Sequence, residues 1–389
     1  MTTAGGDATA PGARTLRRLL FLLPGGVALL AGLDAALILL GLWAPVTTER
    51  LPQVHGMLLV LGFVGTLISL ERAVALGHPA GFCAPALLGA GGVLLLSPVP
   101  LVAGKVALIA GALALALVYL PLYRRQLDDS VLIQALGAVL ATGGALMWLG
   151  GADIPMLLPW LAGFIILTIG GERLELARVA IGPAAGRRFV ALAGVFGVAV
   201  IAALLWPPAG YPVLGVALLA MVGWLGVYDV ARRTIRSSGL VRFMAGCLLA
   251  GYGWLAVAGV VWLLHGMVAQ GPAYDAVVHA VFLGFTMSMI MAHAPVILPA
   301  VLRIRLPYHP AMLIPAGLLH ASLVLRIAVG DARGIDWAWQ AGGVLNIIAV
   351  LAFFAVALAS AAHATTAGRV RRAPAPQPEV EPTTAAGST

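Results

Sequence analysis

Val278–Leu302, VHAVFLGFTMSMIMAHAPVILPAVL, is an apolar run of membrane-spanning length that carries two histidines and a Gly-Phe pair but no acid, lysine or arginine. His279 and His293 are fourteen residues apart, which at ~100° per residue returns them to nearly one helix face, ~21 Å apart along the axis. One helix therefore offers an imidazole near each side of a bilayer. Ionisable groups at such depth are costly and are kept for a purpose, so chemistry is expected here first.

The rest of the chain agrees with a membrane setting. Of its 389 residues 61% are hydrophobic and 10% charged, with a mean hydropathy of +1.02, whereas soluble domains carry about 25% charged residues. Segments of crossing length lie near 19–43, 54–76, 80–98, 101–122, 131–150, 154–173, 189–206, 211–230, 241–265, 273–300, 310–329 and 338–362. The expected fold is all-α and polytopic, with twelve transmembrane helices. Three parts follow: a cytoplasmic segment 1–18, a membrane domain 19–364, and a disordered Pro/Ala/Thr-rich tail 365–389. Cys83 and Cys247 form no CxxC or Cys/His pattern and read as small hydrophobes.

The net charge of +8 is a matter of topology. With a cytoplasmic N-terminus, nineteen of the 23 basic residues fall inside; only Arg50, Lys105, Arg326 and Arg333 fall outside. A bacterial inner membrane with both termini cytoplasmic is expected, the lipid bilayer being the partner that explains the charge, with nothing left to suggest nucleic acid.

An internal echo organises the candidates. Gly62-Phe63, Gly163-Phe164 and Gly284-Phe285 recur in the second, sixth and tenth spans, and nine residues after each glycine stand Glu71, Glu172 and His293. Three four-helix pseudo-repeats are expected. Aligned on the glycines, His55 and His279 differ in depth by only ~3 Å, so they suit one ion or one flat cofactor held from two sides. Glu71, Glu172 and His293 form a second layer near the cytoplasmic side, which His309 is placed to approach; His320 sits mid-span without a depth-matched partner.

Each of these has a plainer alternative. His55 suits an interfacial hydrogen bond as well as ligation, and His279 and His293 suit interhelical hydrogen bonds. Glu71-Arg72 and Glu172-Arg173 read as interfacial ion pairs or snorkelling residues. Met287, Met289 and Met291 alternate faces and read as core filler. Arg326 and Asn346 read as helix-bridging residues, and Asp34 as a buried acid in need of a proton or partner.

Histidines on the second and tenth of twelve spans resemble the arrangement of haem-copper oxidase subunit I, but no histidine stands in the sixth or seventh span to complete a copper-haem centre. A closer likeness is to the NnrS family of membrane proteins. His55-Gly56-Met57-Leu58-Leu59-Val60-Leu61-Gly62-Phe63 is similar to its second-span motif, His279-Ala280-Val281-Phe282-Leu283-Gly284 to its tenth-span motif, and Leu323-Val324-Leu325-Arg326 to its eleventh helix. That resemblance implies a protein holding haem, and copper as well, tied to nitric oxide metabolism, with His55 and His279 as haem ligands. The chain departs from the family at Met57, where a second histidine is usual, which removes a ligand for another metal at that site.

Three function classes follow: a haem-binding protein of nitric oxide handling or electron transfer, fed by an electron donor that the sequence does not name; a proton-coupled transporter without cofactor; and an assembly factor for a respiratory complex. In the first, His293, His309, His320, Glu71 and Glu172 are the candidates for a second metal or a proton relay.

Overall fold

The computed structural model describes residues 11–177 and 183–370. Arg178, residues 1–10 of the N-terminal segment and residues 371–389 of the tail lie outside them. Among the described residues there is no strand, and twelve helices are long and apolar enough to cross a membrane. They are α1 (Thr15–Leu39), α2 (Arg50–Leu76), α3 (Pro79–Leu96), α4 (Leu101–Gln126), α5 (Asp129–Leu149), α6 (Ile154–Ala177), α7 (Ala184–Leu205), α8 (Pro207–Tyr228), α9 (Gly239–His265), α10 (Gly271–Leu302), α11 (Pro310–Asp331) and α12 (Asp336–Ala364). Lipid offers no hydrogen bonds to a backbone, so long apolar stretches satisfy their amides internally as helix. Glycine and proline at the breaks then turn the chain.

One departure from the expected boundaries is at α1, which ends at Leu39 rather than near residue 43. Gly41 takes a left-handed φ of +70°, which only glycine adopts freely, and the chain leaves the helix there with Trp43 80% exposed. Asp34 consequently lies one turn from the helix end. Its carboxylate accepts the Val46 amide at 3.3 Å, so the acid that looked isolated in a span has a partner in the following turn.

Three spans form the interior. In their most apolar stretches α2, α6 and α10 are 67%, 78% and 61% buried, against 28–56% for the other nine. Around them α1 packs on α2 and α3, α5 on α6 and α7, and α9 on α10 and α11; α4 meets α5, α8 meets α9, and α12 returns to α1. Close approach needs small residues where lipid supplies no hydrophobic drive between helices. A Cβ at Gly62 would lie 3.1 Å from Ala28 of α1, at Gly163 2.6 Å from Leu140 of α5, and at Gly284 2.3 Å from Trp254 of α9. Each Gly-Phe glycine thus seats the span immediately before its own.

The spans alternate in direction, leaving a His55 end and a Glu71 end. Arg18 donates to Val301 O, in the last turn of α10, at 2.7 Å and Ser360 Oγ to Pro307 O, in the loop that follows, at 2.6 Å, so the first and last spans both meet the chain at the Glu71 end of α10.

Candidate functional site

Three stretches among the described residues wind as π-helix: Leu58–Gly65 in α2, Ala280–Met287 in α10 and Leu325–Asp331 in α11. The first begins three residues after His55 and the second directly after His279. Such turns are rare in helices and gather at functional sites, because they widen the coil and re-aim side chains. All three border one cavity of about 510 Å³, enclosed by α1, α2, α6, α10, α11 and α12.

His55 and His279 line this cavity together and are close enough to feel one another's charge. His55 Nδ1 lies 2.8 Å from Gly32 O of α1, and His279 Nδ1 2.8 Å from Asp275 O and 3.3 Å from Asp275 Oδ1. A carbonyl can only accept, so both Nδ1 atoms carry a proton, and in the neutral rings both Nε2 atoms keep a lone pair. Neither Nε2 has a hydrogen-bond partner among the described residues. An imidazole anchored through one nitrogen with the other bare is the form in which histidine ligates a metal.

The mouth is polar and the walls are not. Arg326 binds Asp275 through Nε and Nη2, both at 2.7 Å, and its guanidinium stands 5.0 Å from the Trp339 ring centroid. Gly343 makes room for it, since a Cβ there would come 2.5 Å from Nη1. Asp331 lies against Asp275. Leu29, Leu33, Phe63, Leu158, Phe282 and Val350 form much of the wall. Asn346 breaks it: Oδ1 meets Ser322 Oγ at 2.6 Å, while Nδ2 is buried without a partner.

This donor set fits a haem. Two bare imidazole nitrogens would hold its iron, apolar walls suit a porphyrin, and the guanidinium at the mouth suits the carboxylates of one. The volume falls in the ~300–1,000 Å³ range of cofactor pockets.

The Glu71 end is built differently. Arg72 Nη2 contacts Glu71 Oε1 and lies 3.2 Å from Glu172 Oε1, while Nη1 donates to Gln134 Oε1 at 3.1 Å. Arg173 does not pair with its neighbour Glu172. It binds Asp229, just beyond α8, through Nε at 2.7 Å and Nη2 at 2.8 Å. Asp229 also accepts Tyr252 OH and the Ala231 amide, each at 2.7 Å. Burial alone would raise the Asp229 carboxyl, but the hydrogen bonds and charge of Arg173 outweigh it and hold it below the usual carboxylate range. Here His293 is occupied on both sides, with Nδ1 2.8 Å from Met289 O and Nε2 3.4 Å from Arg173 Nη1.

A family model described as "Domain of unknown function (DUF8744)" matches residues 18–362. The chain belongs to that family. A search of curated proteins found no match. The matched stretch takes in all twelve spans except the first few residues of α1 and the last two of α12, so in this DUF8744 chain the cavity and the ionic layer both belong to the family's domain.

Several expectations are corrected. The two Glu-Arg pairs differ: Arg72 pairs with its neighbour Glu71 and also meets Glu172, whereas Arg173, 3% exposed, is turned to Asp229. The second metal set does not assemble, because no three His, Cys, Asp or Glu side chains among the described residues come within reach of one ion. His309 is exposed and its Nδ1 accepts the Ala311 amide at 3.2 Å, capping the short turn at Pro310–Met312. His320 accepts Trp254 Nε1 at 3.1 Å. Glu71 and Glu172 spend oxygens on Arg72. Arg326 and Asn346 do bridge helices, to α10 and α11 respectively. Asp275 and Asp229 were passed over. The first stands four residues before His279, on the same helix face; the second had no local signal, because its partner is 56 residues away.

Proposed function

We propose that this chain is a haem-binding membrane protein with His55 and His279 as axial ligands, acting in nitric oxide handling or in electron transfer. The observation that carries it is the pair of anchored imidazoles with bare Nε2 atoms on one cavity, placed where two π-helical segments begin. Bound there, haem would supply a redox-active iron, open to a diatomic ligand where one of the two imidazoles gives way. The chain's own part is to orient: Gly32 O and Asp275 keep the ring protons on Nδ1, Arg326 holds Asp275, and the leucine and phenylalanine walls keep water scarce. The lipid setting is taken to be a bacterial inner membrane with both termini cytoplasmic, on the nineteen-to-four distribution of basic residues. The three groups of four spans are taken as pseudo-repeats, on their shared Gly-Phe seats.

The test is the reduced-minus-oxidised optical spectrum of purified protein. Haem bands are expected, lost or converted in His55→Ala and in His279→Ala and kept in His265→Ala, whose histidine is exposed at the end of α9. A protein with no haem bands after expression with haem supplied turns the assignment toward a transporter. Reporter fusions after Arg188 and after Arg372 should both report cytoplasm.

A further inference from the structure

At the end of the bundle away from the cavity, two carboxyl groups share one guanidinium. Glu71 and Glu172 meet the same atom of Arg72, Nη2, and their side chains are only 24% and 19% exposed. One positive charge cannot balance two negative ones in a poorly solvated site. Among the described residues the surrounding arginines are engaged elsewhere. Arg173 is spent on Asp229 and contacts His293, and Arg125 of α4 donates to Ala75 O and Leu76 O at 3.4 and 3.1 Å. The remaining charged or titratable neighbours are Glu175, Asp229, Tyr119 and His293.

A second, independent observation points the same way. Tyr119 is 1% exposed and Gln134 is 0% exposed, yet Tyr119 OH and Gln134 Nε2 have no hydrogen-bond partner, and neither has Arg72 Nε. Buried polar atoms are almost always satisfied. Arg72 Nε and Gln134 Nε2 can only donate, but the Tyr119 hydroxyl, which lies beside both glutamates, can accept a hydrogen bond from a protonated carboxyl.

We propose that Glu71 and Glu172 are a proton-holding site: together with Arg72 they bind one exchangeable proton at neutral pH, reached from the Glu71 end. The ligand is a proton rather than a metal cation because the guanidinium between the carboxyl groups would repel an ion. No cofactor is involved, so the proposal stands apart from the fate of the cavity.

The experiment is infrared difference spectroscopy of the full chain in lipid nanodiscs near neutral pH, in light and heavy water. Wild type minus Glu172→Gln should show a protonated carboxyl stretch that shifts in heavy water. Wild type minus Glu71→Gln should show the same band, because the carboxyl left behind pairs fully with Arg72 and gives up its proton. Loss of the band in only one variant would mean a single buried acid and would overturn the shared site, as would its presence in both variants. A band seen only when sodium and potassium are withdrawn would make the ligand a metal cation and overturn it equally. Should either variant fail to fold, wild type made with isotope-labelled glutamate answers alone: no label-shifted, exchangeable carboxyl band in that protein sinks the proposal.

Discussion

The two ends of the central helix trio are made of like parts put to unlike use. At the His55 end Arg326 is set beside Asp275 and Asp331, and at the Glu71 end Arg72 is set beside Glu71 and Glu172. What differs is the space left over. At the first end α2, α10 and α11 each widen into π-helix and a cavity opens beneath the arginine; at the second, α2, α6 and α10 carry regular helix and their polar groups close on one another. The histidines follow suit. His55 and His279 each keep a nitrogen bare toward the cavity, whereas His293 has both nitrogens engaged. An imidazole in a membrane helix is therefore judged by what its second nitrogen does.

The sharpest way to break that contrast is to remove the imidazoles in turn. His55→Ala and His279→Ala should abolish or convert haem loading, while His293→Ala should leave the spectrum as in wild type. If His293→Ala loses the bands and the other two keep them, the ends have been assigned the wrong way round.

The closed end should be the one that matters for stability. Asp229→Ala leaves Arg173 buried without its carboxylate, which costs about 3–5 kcal/mol and should show as a lowered thermal midpoint in detergent. The pH dependence has a definite sign. The Asp229 carboxyl is held below its ordinary value, so its stabilisation is complete above the unfolded value of ~3.9 and is lost as pH falls through the folded one. The gap between wild type and Asp229→Asn should be constant from neutral pH to about 5 and then close on further acidification.

A smaller effect sharpens the open end. Asp275→Asn keeps the Asp275 carbonyl on His279 but removes the carboxylate behind it, and second-shell changes of this kind lower affinity by ~10–100-fold. Haem titration of the apoprotein measures it. An unchanged affinity would mean that Asp275 serves only Arg326.

Smallest is the packing test. Gly284→Ala drives a Cβ into Trp254, 2.3 Å away, whereas Gly62→Ala meets Ala28 at 3.1 Å. Overpacking costs about 1–3 kcal/mol, so Gly284→Ala should lower the thermal midpoint more than Gly62→Ala. Because Trp254 also donates to His320, the tryptophan has little freedom to give way.

Much of this was legible in residues close together in sequence. Apolar runs of bilayer length marked the spans, since lipid forces each to close its own hydrogen bonds, and a nine-residue offset aligned Glu71, Glu172 and His293. The depth match of His55 and His279 followed from a rise per residue that hardly varies between helices. What could not be read was direction around the helix where regular winding stops. The π-helical turns sit beside both histidines, and a 3.6-residue period cannot anticipate them. Partner choice between distant spans was equally hidden. Arg173 lies beside Glu172 in sequence and chooses Asp229, because two hydrogen bonds in the plane of the guanidinium outdo one contact to a neighbour that Arg72 already holds.

The return of α12 to α1 has a consequence for biosynthesis. The first span enters the membrane while most of the chain has yet to be translated, but the carbonyl that Arg18 binds belongs to Val301 and the helix that closes its flank is the twelfth. α1 must therefore wait in lipid, held only by α2 and α3, until almost the entire protein has emerged. A chain cut off before α10 would leave Arg18 without that anchor and α1 with one side open, a signal that membrane quality control could read as unfinished.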